Sequence, residues 1–179
     1  MVDVIQHLKS QARILHRNAR EGDPSALKRV FGSIATLGVK GEDELSAAVN
    51  RSQCLSAVAK GLGFKGWAHL TNVFAGRDKD FGTLLCPDRM SPFWNIWCKT
   101  HEEASKIRQE TSGYLLAYKT QFLVVDADYV AALGLNPDDQ DWALIGYDWA
   151  KPRNREARNR LYGKLITATA ADKPYGGRS

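Results

Sequence analysis

The sequence predicts an α+β protein in two parts. The first is an all-helical module with a helix-turn-helix over residues 1–76; the second is a small α+β domain with a short antiparallel sheet over 91–168. Three observations lead there. Apolar residues recur at helical spacing through the first 76 residues. From Gly113 the pattern changes to short runs rich in aromatic and aliphatic residues, the signature of strands. Between them, the charged run RDKD at 77–80 and the stretch FGTLLCPDRMSP, with two prolines and no clear period, suggest a linker over 77–90. Residues 169–179, rich in small and polar side chains, are expected to form a flexible tail.

The elements follow in order. Ile5, Leu8, Ala12, Leu15 and Ala19 fall at 3-4-3-4 spacing, so residues 2–20 form a helix with one buried face. Lys9, Arg13, Arg17 and Arg20 make a basic row beside that face, either a solvated flank or a phosphate-contacting surface. EGDPS opens a second helix, with Asp23 or Ser25 capping, Pro24 in the first turn, and Leu27, Val30, Phe31 and Ile34 inward. Gly38 and Gly41 are expected to end it, and a polar helix over 42–49 leads on.

Residues 51–76, RSQCLSAVAKGLGFKGWAHLTNVFAG, read as helix, tight turn, helix. Ser52 is placed to cap the first, whose Leu55, Val58, Ala59 and Leu62 share one face. Gly61 and Gly63 supply the turn, Trp67, Leu70, Val73 and Phe74 line the second helix, and Gly76 closes it. Further on, Ser91 and Pro92 predict the start of a helix running to Thr111. Strands are expected at 114–118 and 122–126, a short helix at 127–133, a third strand in WALIGYDW, and a last helix from Pro152 to Thr167.

Composition and charge narrow the functional classes. A chain of 179 residues is long enough for one large domain or two small ones with a real core. The net charge of +5 and pI near 9.2 lean toward an anionic partner, although many proteins with this excess bind no nucleic acid. The excess sits in residues 1–76, where ten lysines and arginines stand against six acidic residues. Three cysteines, Cys54, Cys86 and Cys98, without regular spacing suit reduced thiols in a cytoplasm. The start, MVDVIQHLKSQAR, has no apolar run before its first charges and nowhere do ~18 apolar residues follow one another, so a cytoplasmic protein without a membrane partner is expected.

Within the second half, charge is segregated. Six aspartates (126, 128, 138, 139, 141 and 148) occur between 126 and 148 without a lysine or arginine, and six basic residues follow between Lys151 and Lys164. Arg158 falls inside the apolar stripe Ala157, Leu161, Leu165 and needs a partner there; Asp148 or Asp126 is the expected one, as a buried ion pair.

VAKGLGFKGWAHLTNVF resembles one helix-turn-helix of the AraC-type transcription regulators, through Ala59, Gly63-Phe64, Leu70 and Phe74. The longer pattern of Ser52-Gln53, Leu55, Val58-Ala59, Leu62-Gly63-Phe64, Trp67 and Leu70 is similar to a small helical module of bacterial and plasmid proteins labelled glyoxalase-related. That likeness spans about residues 5–75. The resemblances imply a regulator from a bacterium or mobile element. Read as DNA-binding, the motif turns Lys65, Gly66, His69 and Asn72 to the groove and puts Arg51 and Lys60 near phosphates.

The aromatic and arginine content of Tyr147, Trp149, Arg153, Arg155 and Arg158 offers a second surface, for stacking and phosphate contact, and Arg160 and Lys164 extend it. An acidic patch beside a basic helix equally suits docking of another protein or of a second copy. For metal chemistry the best sets are Cys98-x2-His101 with Cys86, and Asp126, Asp128 and Asp148 with His101 as base; buried thiols and turn-capping aspartates are the plainer readings of both. No phosphate loop of the GxxxxGK[ST] form and no GxSxG elbow occurs. The sequence therefore points to a non-enzymatic nucleic-acid-binding regulator needing no cofactor or metal, with a protein-binding regulator or inhibitor and a metal-dependent nuclease as alternatives.

Overall fold

A computed structural model describes residues 4–32 and 41–171. The protein is α+β, and the chain divides into two compact units, Met1–Thr71 and Asn72–Ser179.

In the first unit, helix α1 (Val4–Arg20) buries Val4, Leu8, Ala12, Leu15 and Ala19. Val4 replaces the expected Ile5 because it continues the same 4-residue row. Helix α2 (Pro24–Phe31) is capped by Asp23, whose carboxylate accepts the Ser25 N–H at 3.1 Å. It ends at Gly32, with φ 81°, earlier than expected; Ile34 and Gly38 lie outside the described residues. Helix α3 (Glu42–Ala48) begins after Gly41, which serves as its N-cap rather than as the stop of α2.

Helix α4 (Arg51–Gly61) is capped by Asn50, not Ser52. The Asn50 side chain accepts from Gln53 N–H at 3.0 Å and the Gln53 side chain accepts from Asn50 N–H at 2.9 Å, a reciprocal box that satisfies two end donors. Its buried residues are Cys54, Ala57, Val58 and Ala59, a face of small side chains that allows close approach to α1, while Leu55 and Leu62 are half-buried. At its end Gly63 takes φ 82°, its N–H bonds Lys60 O, and Phe64 N–H reaches back to Ala59 O, so the last carbonyls of the helix are satisfied. Helix α5 (Trp67–Phe74) follows and buries Leu70, Val73 and Phe74. The first unit ends within α5, at Thr71.

The second unit begins earlier than residue 91. Residues 77–90 are not a linker: Phe81 N–H donates to Lys119 O, Lys119 N–H donates to Gly82 O, and Leu84, Leu85 and Met90 are buried. A 3-10 turn, Asp88–Met90, precedes strand β1 (Asn95–Cys98). The helix expected over 91–111 is thus a strand followed by helix α6 (His101–Thr111), capped by Thr100 accepting from Glu103 N–H at 3.2 Å. Strands β2 (Tyr114–Tyr118) and β3 (Gln121–Val125) form the expected hairpin, and the sheet order is β1-β3-β2, all antiparallel.

Alternation along the strands sorts the two faces of the sheet. Ile96, Cys98, Leu115, Phe122 and Val124 pack with Ala104 and Ile107 of α6. The opposite face carries Tyr114, Leu116, Leu123 and Val125, also buried. Helix α7 (Ala127–Ala132), capped by Asp126, and helix α8 (Gln140–Ile145), capped by Asp139, come next. Helix α8 stands where a third strand was expected. WALI buries Trp142 and Ile145 and exposes Ala143 and Leu144, a helical alternation too short to distinguish from a strand by pattern. Only Asp148 keeps strand character, in a single parallel bridge to Leu115.

Helix α9 (Arg155–Ala171) begins three residues after the expected start at Pro152 and runs past Thr167 into the first residues of the expected tail; residues 172–179 lie outside the described residues. An unbroken series of ring contacts runs Tyr114–Trp142–Trp149–Tyr162–Phe74, with centroid separations of 4.9, 5.5, 4.8 and 4.3 Å. It ties β2, α8, α9 and the end of α5 into one interior.

Candidate functional site

The basic residues of the chain separate into two kinds. On α9, Arg160 and Lys164 lie one turn apart and face the N-terminus of α8. Arg160 is in ion-pair contact with Asp141, and Lys164 Nζ lies 2.6 Å from Asp139 Oδ2 and 2.9 Å from Asp141 Oδ2. Burial alone would raise the Asp141 carboxyl, but hydrogen bonds from Arg160 and Lys164 hold it below the usual carboxylate range. The Arg160 guanidinium is correspondingly stabilised by its hydrogen bond to Asp141, while Lys164 overcomes its own burial through Asp139 and Asp141 and is held above the usual lysine range. These two side chains, expected to contact nucleic acid, form the cationic half of an internal clasp between α8 and α9.

Arg158 is buried at 1% exposure, as its place in the apolar stripe required. Its partner is neither Asp148 nor Asp126. Nη2 donates to Val73 O at 3.2 Å and Phe74 O at 3.0 Å, the carbonyls at the end of α5, where the helix dipole is negative. Desolvation pushes its guanidinium below the usual arginine range. Asp148 pairs with His101 instead, at 2.6 Å between Oδ2 and Nε2, and also accepts Lys151 N–H at 2.8 Å. Asp126 caps α7 by accepting Tyr129 N–H.

The remaining cations sit differently. In the first unit Arg13, Arg17, Lys28, Arg29, Arg51 and Lys60 are exposed, and among the described residues none has a carboxylate partner. Arg13 and Arg17 are four residues apart on α1, with half-buried Lys9 one turn before them and Arg20 three residues after. At 1.5 Å per residue this row is about 17 Å long, a span over which a nucleic-acid duplex presents roughly ten phosphates. Arg20 also donates to Ala47 O at 2.9 Å, which anchors α1 to the end of α3. Arg29 and Lys60 line one cleft of about 510 Å³ between the end of α2 and α4, with Ser52, Gln53 and Ser56.

The groove-reading set at the start of α5 is engaged locally. The Lys65 N–H donates to His69 Nδ1 at 3.0 Å, the His69 ring meets Phe64 edge-on at 5.7 Å, and Asn72 Oδ1 accepts from Arg77 at 3.3 Å. Arg153 and Arg155, in the second unit, are exposed and lie over Gly146 and Gly76. The arginine row of α1 was visible in the sequence as a basic flank. What the sequence did not show was which cations are neutralised internally, although the segregation of aspartates at 126–148 from basic residues at 151–164 was a signal for it.

The two metal sets dissolve into other contacts. Cys98 is buried, and its thiol is pushed up by burial and by the Glu103 charge; His101 is taken by Asp148; Asp126 is a helix cap. Among the described residues no group of three or more histidines, cysteines, aspartates or glutamates is placed to hold a metal ion. Nor is any helix of the described residues long and apolar enough to cross a membrane. Comparison with protein-family models, curated proteins and solved structures found no match to this chain.

Proposed function

We propose that the protein binds nucleic acid through the phosphate backbone, with the first unit as its contact surface, and acts as a binding regulator rather than an enzyme. The observation that carries this reading is the basic row of α1, in which Lys9, Arg13, Arg17 and Arg20 follow one another at about one-turn spacing along one helix. The exposed cations on α1, α2 and α4 have no carboxylate partners among the described residues; in the second unit Arg160 and Lys164 are neutralised by Asp139 and Asp141, while exposed Lys151, Arg153 and Arg155 have none among the described residues. Unpaired surface cations break no ion pair when they turn to phosphate, and the gain on contact comes from released counterions. With His69 and Asn72 already hydrogen-bonded locally, base reading by α5 is secondary in this proposal, and binding tolerates sequence.

The test is fluorescence anisotropy with labelled single- and double-stranded DNA and RNA across a salt series. Binding is expected with a log–log salt slope of about −0.9 per duplex phosphate neutralised. Arg13→Glu, Arg17→Glu and Lys60→Glu should each weaken binding for all sequences alike and reduce the slope by about 1. Absence of binding, or affinity without salt dependence, refutes the proposal. If Arg153→Glu and Arg155→Glu reduce the slope and the first-unit variants do not, the contact surface lies in the second unit instead.

A further inference from the structure

The sheet of the second unit has one covered edge and one open edge, and the hydrogen bonds identify which groups are left over. On β2, Leu115 N–H donates to Tyr147 O and Leu115 O accepts Trp149 N–H, both at 2.9 Å. Leu115 therefore turns its backbone away from β3, and by antiparallel alternation Tyr114, Leu116 and Tyr118 bond Val125, Leu123 and Gln121. Val124 and Phe122 then turn toward β1, where they pair with Ile96 and Cys98. Asn95 and Trp97 are left with their N–H and C=O groups directed out of the sheet, and no partner for them occurs among the described residues.

Both ends of this stretch are closed. Phe93 N–H donates to Met90 O at 3.1 Å, and Lys99 N–H donates to the Glu103 carboxylate at 3.1 Å. The open edge is therefore two residues presenting two donors and two acceptors, flanked by Trp94 and Trp97 at 47% and 45% exposure. Residues 90–98 carry no charged side chain, so two such edges meet without like-charge repulsion. An open edge of this kind is a template for another strand.

We infer that β1 pairs antiparallel with β1 of a second copy about a two-fold axis at Ile96. This register follows from the free groups. Asn95 faces Trp97 of the second copy and Trp97 faces its Asn95, so all four outward groups on each chain are used, and Ile96 meets Ile96. Centring on Trp97 would oppose Asn95 to Lys99, whose N–H is already given to Glu103; centring on Asn95 would oppose Trp97 to Phe93, whose N–H is given to Met90. The result is an isologous six-stranded sheet that shelters the exposed tryptophans. Because apolar contact and backbone hydrogen bonds carry it, the dimer is insensitive to salt, unlike one made by docking an acidic loop on a basic helix.

Sedimentation velocity of the full chain across a concentration series tests this, with tryptophan quenching and hydrogen exchange on the same samples. Expected are a dimer of twice the 19.9 kDa chain mass, protection of the Asn95 and Trp97 amides on dimerisation, and a Kd unchanged between low and high salt. Asn95→Pro removes an outward N–H without touching the bonds to β3, and Trp97→Lys sets a charge on the edge; each should give a monomer with unchanged circular dichroism. A wild-type chain that stays monomeric up to about 1 mM, the weak end of specific association, overturns the inference. So does a dimer that both folded variants leave intact, or amide protection that appears only when an apolar peptide is added.

Discussion

Nη2 of Arg158 donates to the carbonyl of Phe74 at 3.0 Å, so a buried guanidinium in α9 helps terminate α5, beside the Gly76 and Arg77 N–H groups that bond the Val73 and Asn72 carbonyls. The charge is accommodated without a carboxylate because helix-end carbonyls carry partial negative charge and the Tyr162 ring lies 5.7 Å away. Arg158→Met should therefore destabilise the second unit by about 1–3 kcal/mol, the cost of orphaning a buried carbonyl. Arg158→Lys should cost at least as much, since it keeps the buried charge and loses the planar fork. Urea unfolding followed by the fluorescence of buried Trp142 and Trp149 measures both; two neutral variants would remove the helix-terminating role.

Acid should loosen the clasp between α8 and α9. The Asp141 carboxyl is held below its usual range in the fold by Arg160 and Lys164, so as pH falls the unfolded chain takes up the proton first. The stability it contributes is complete above the unfolded value of about 4 and is lost progressively as pH drops below it. Asp141→Asn should cost about 1.5–3 kcal/mol at neutral pH and flatten the acid limb of the melting profile. An unchanged acid limb in that variant would assign the acid sensitivity to other carboxyls.

Alkali acts through buried phenols. Burial raises the hydroxyls of Tyr114, Tyr129 and Tyr162, and Tyr129 donates to Leu85 O at 3.0 Å. These groups stay neutral in the fold while the unfolded chain ionises near about pH 10, so stability is complete below that value and falls as pH rises through it. Phenolate absorbance should show the three ionising together with unfolding rather than before it. Tyr129→Phe should cost about 1–3 kcal/mol at neutral pH by leaving the Leu85 carbonyl unpaired.

Gly134 has φ +91°, and a Cβ there would lie 2.7 Å from the Cβ of Ala168 on α9. Gly134→Ala should destabilise by about 2–4 kcal/mol, combining left-handed strain with overpacking. A double-mutant cycle with Ala168→Gly separates the two contributions, because opening the space should recover only the packing part. Strict additivity of the two substitutions would place the whole penalty in the backbone.

Helices α1 and α5 were readable in the sequence because they carry regular stripes: Leu8, Ala12, Leu15 and Ala19 announce α1, and Leu70, Val73 and Phe74 announce α5. The misreadings come from short apolar runs. FWNIWC has no period that distinguishes a strand from a helix, and the Ser91-Pro92 start signal outweighed the true cap, Thr100 with Glu103 three residues on. The buried position of Arg158 was legible, but its partners are backbone carbonyls, which no residue type reveals. At the candidate site the cations were visible and their pairing was not. The meeting of Arg160 and Lys164 with Asp139 and Asp141 bridges about twenty residues of chain and is decided by how α8 lies against α9.

Residues 77–90 end as interior rather than connection, with Leu84, Leu85 and Met90 buried and Leu85 receiving the Tyr129 hydroxyl. This sets where the chain can be recombined. A C-terminal half transplanted from residue 91 onward would arrive without part of its own core and without the carbonyls that Arg158 binds. A splice point that delivers a complete second half must fall ahead of Val73, so any shuffling of these two halves between proteins carries the end of α5 along with the sheet.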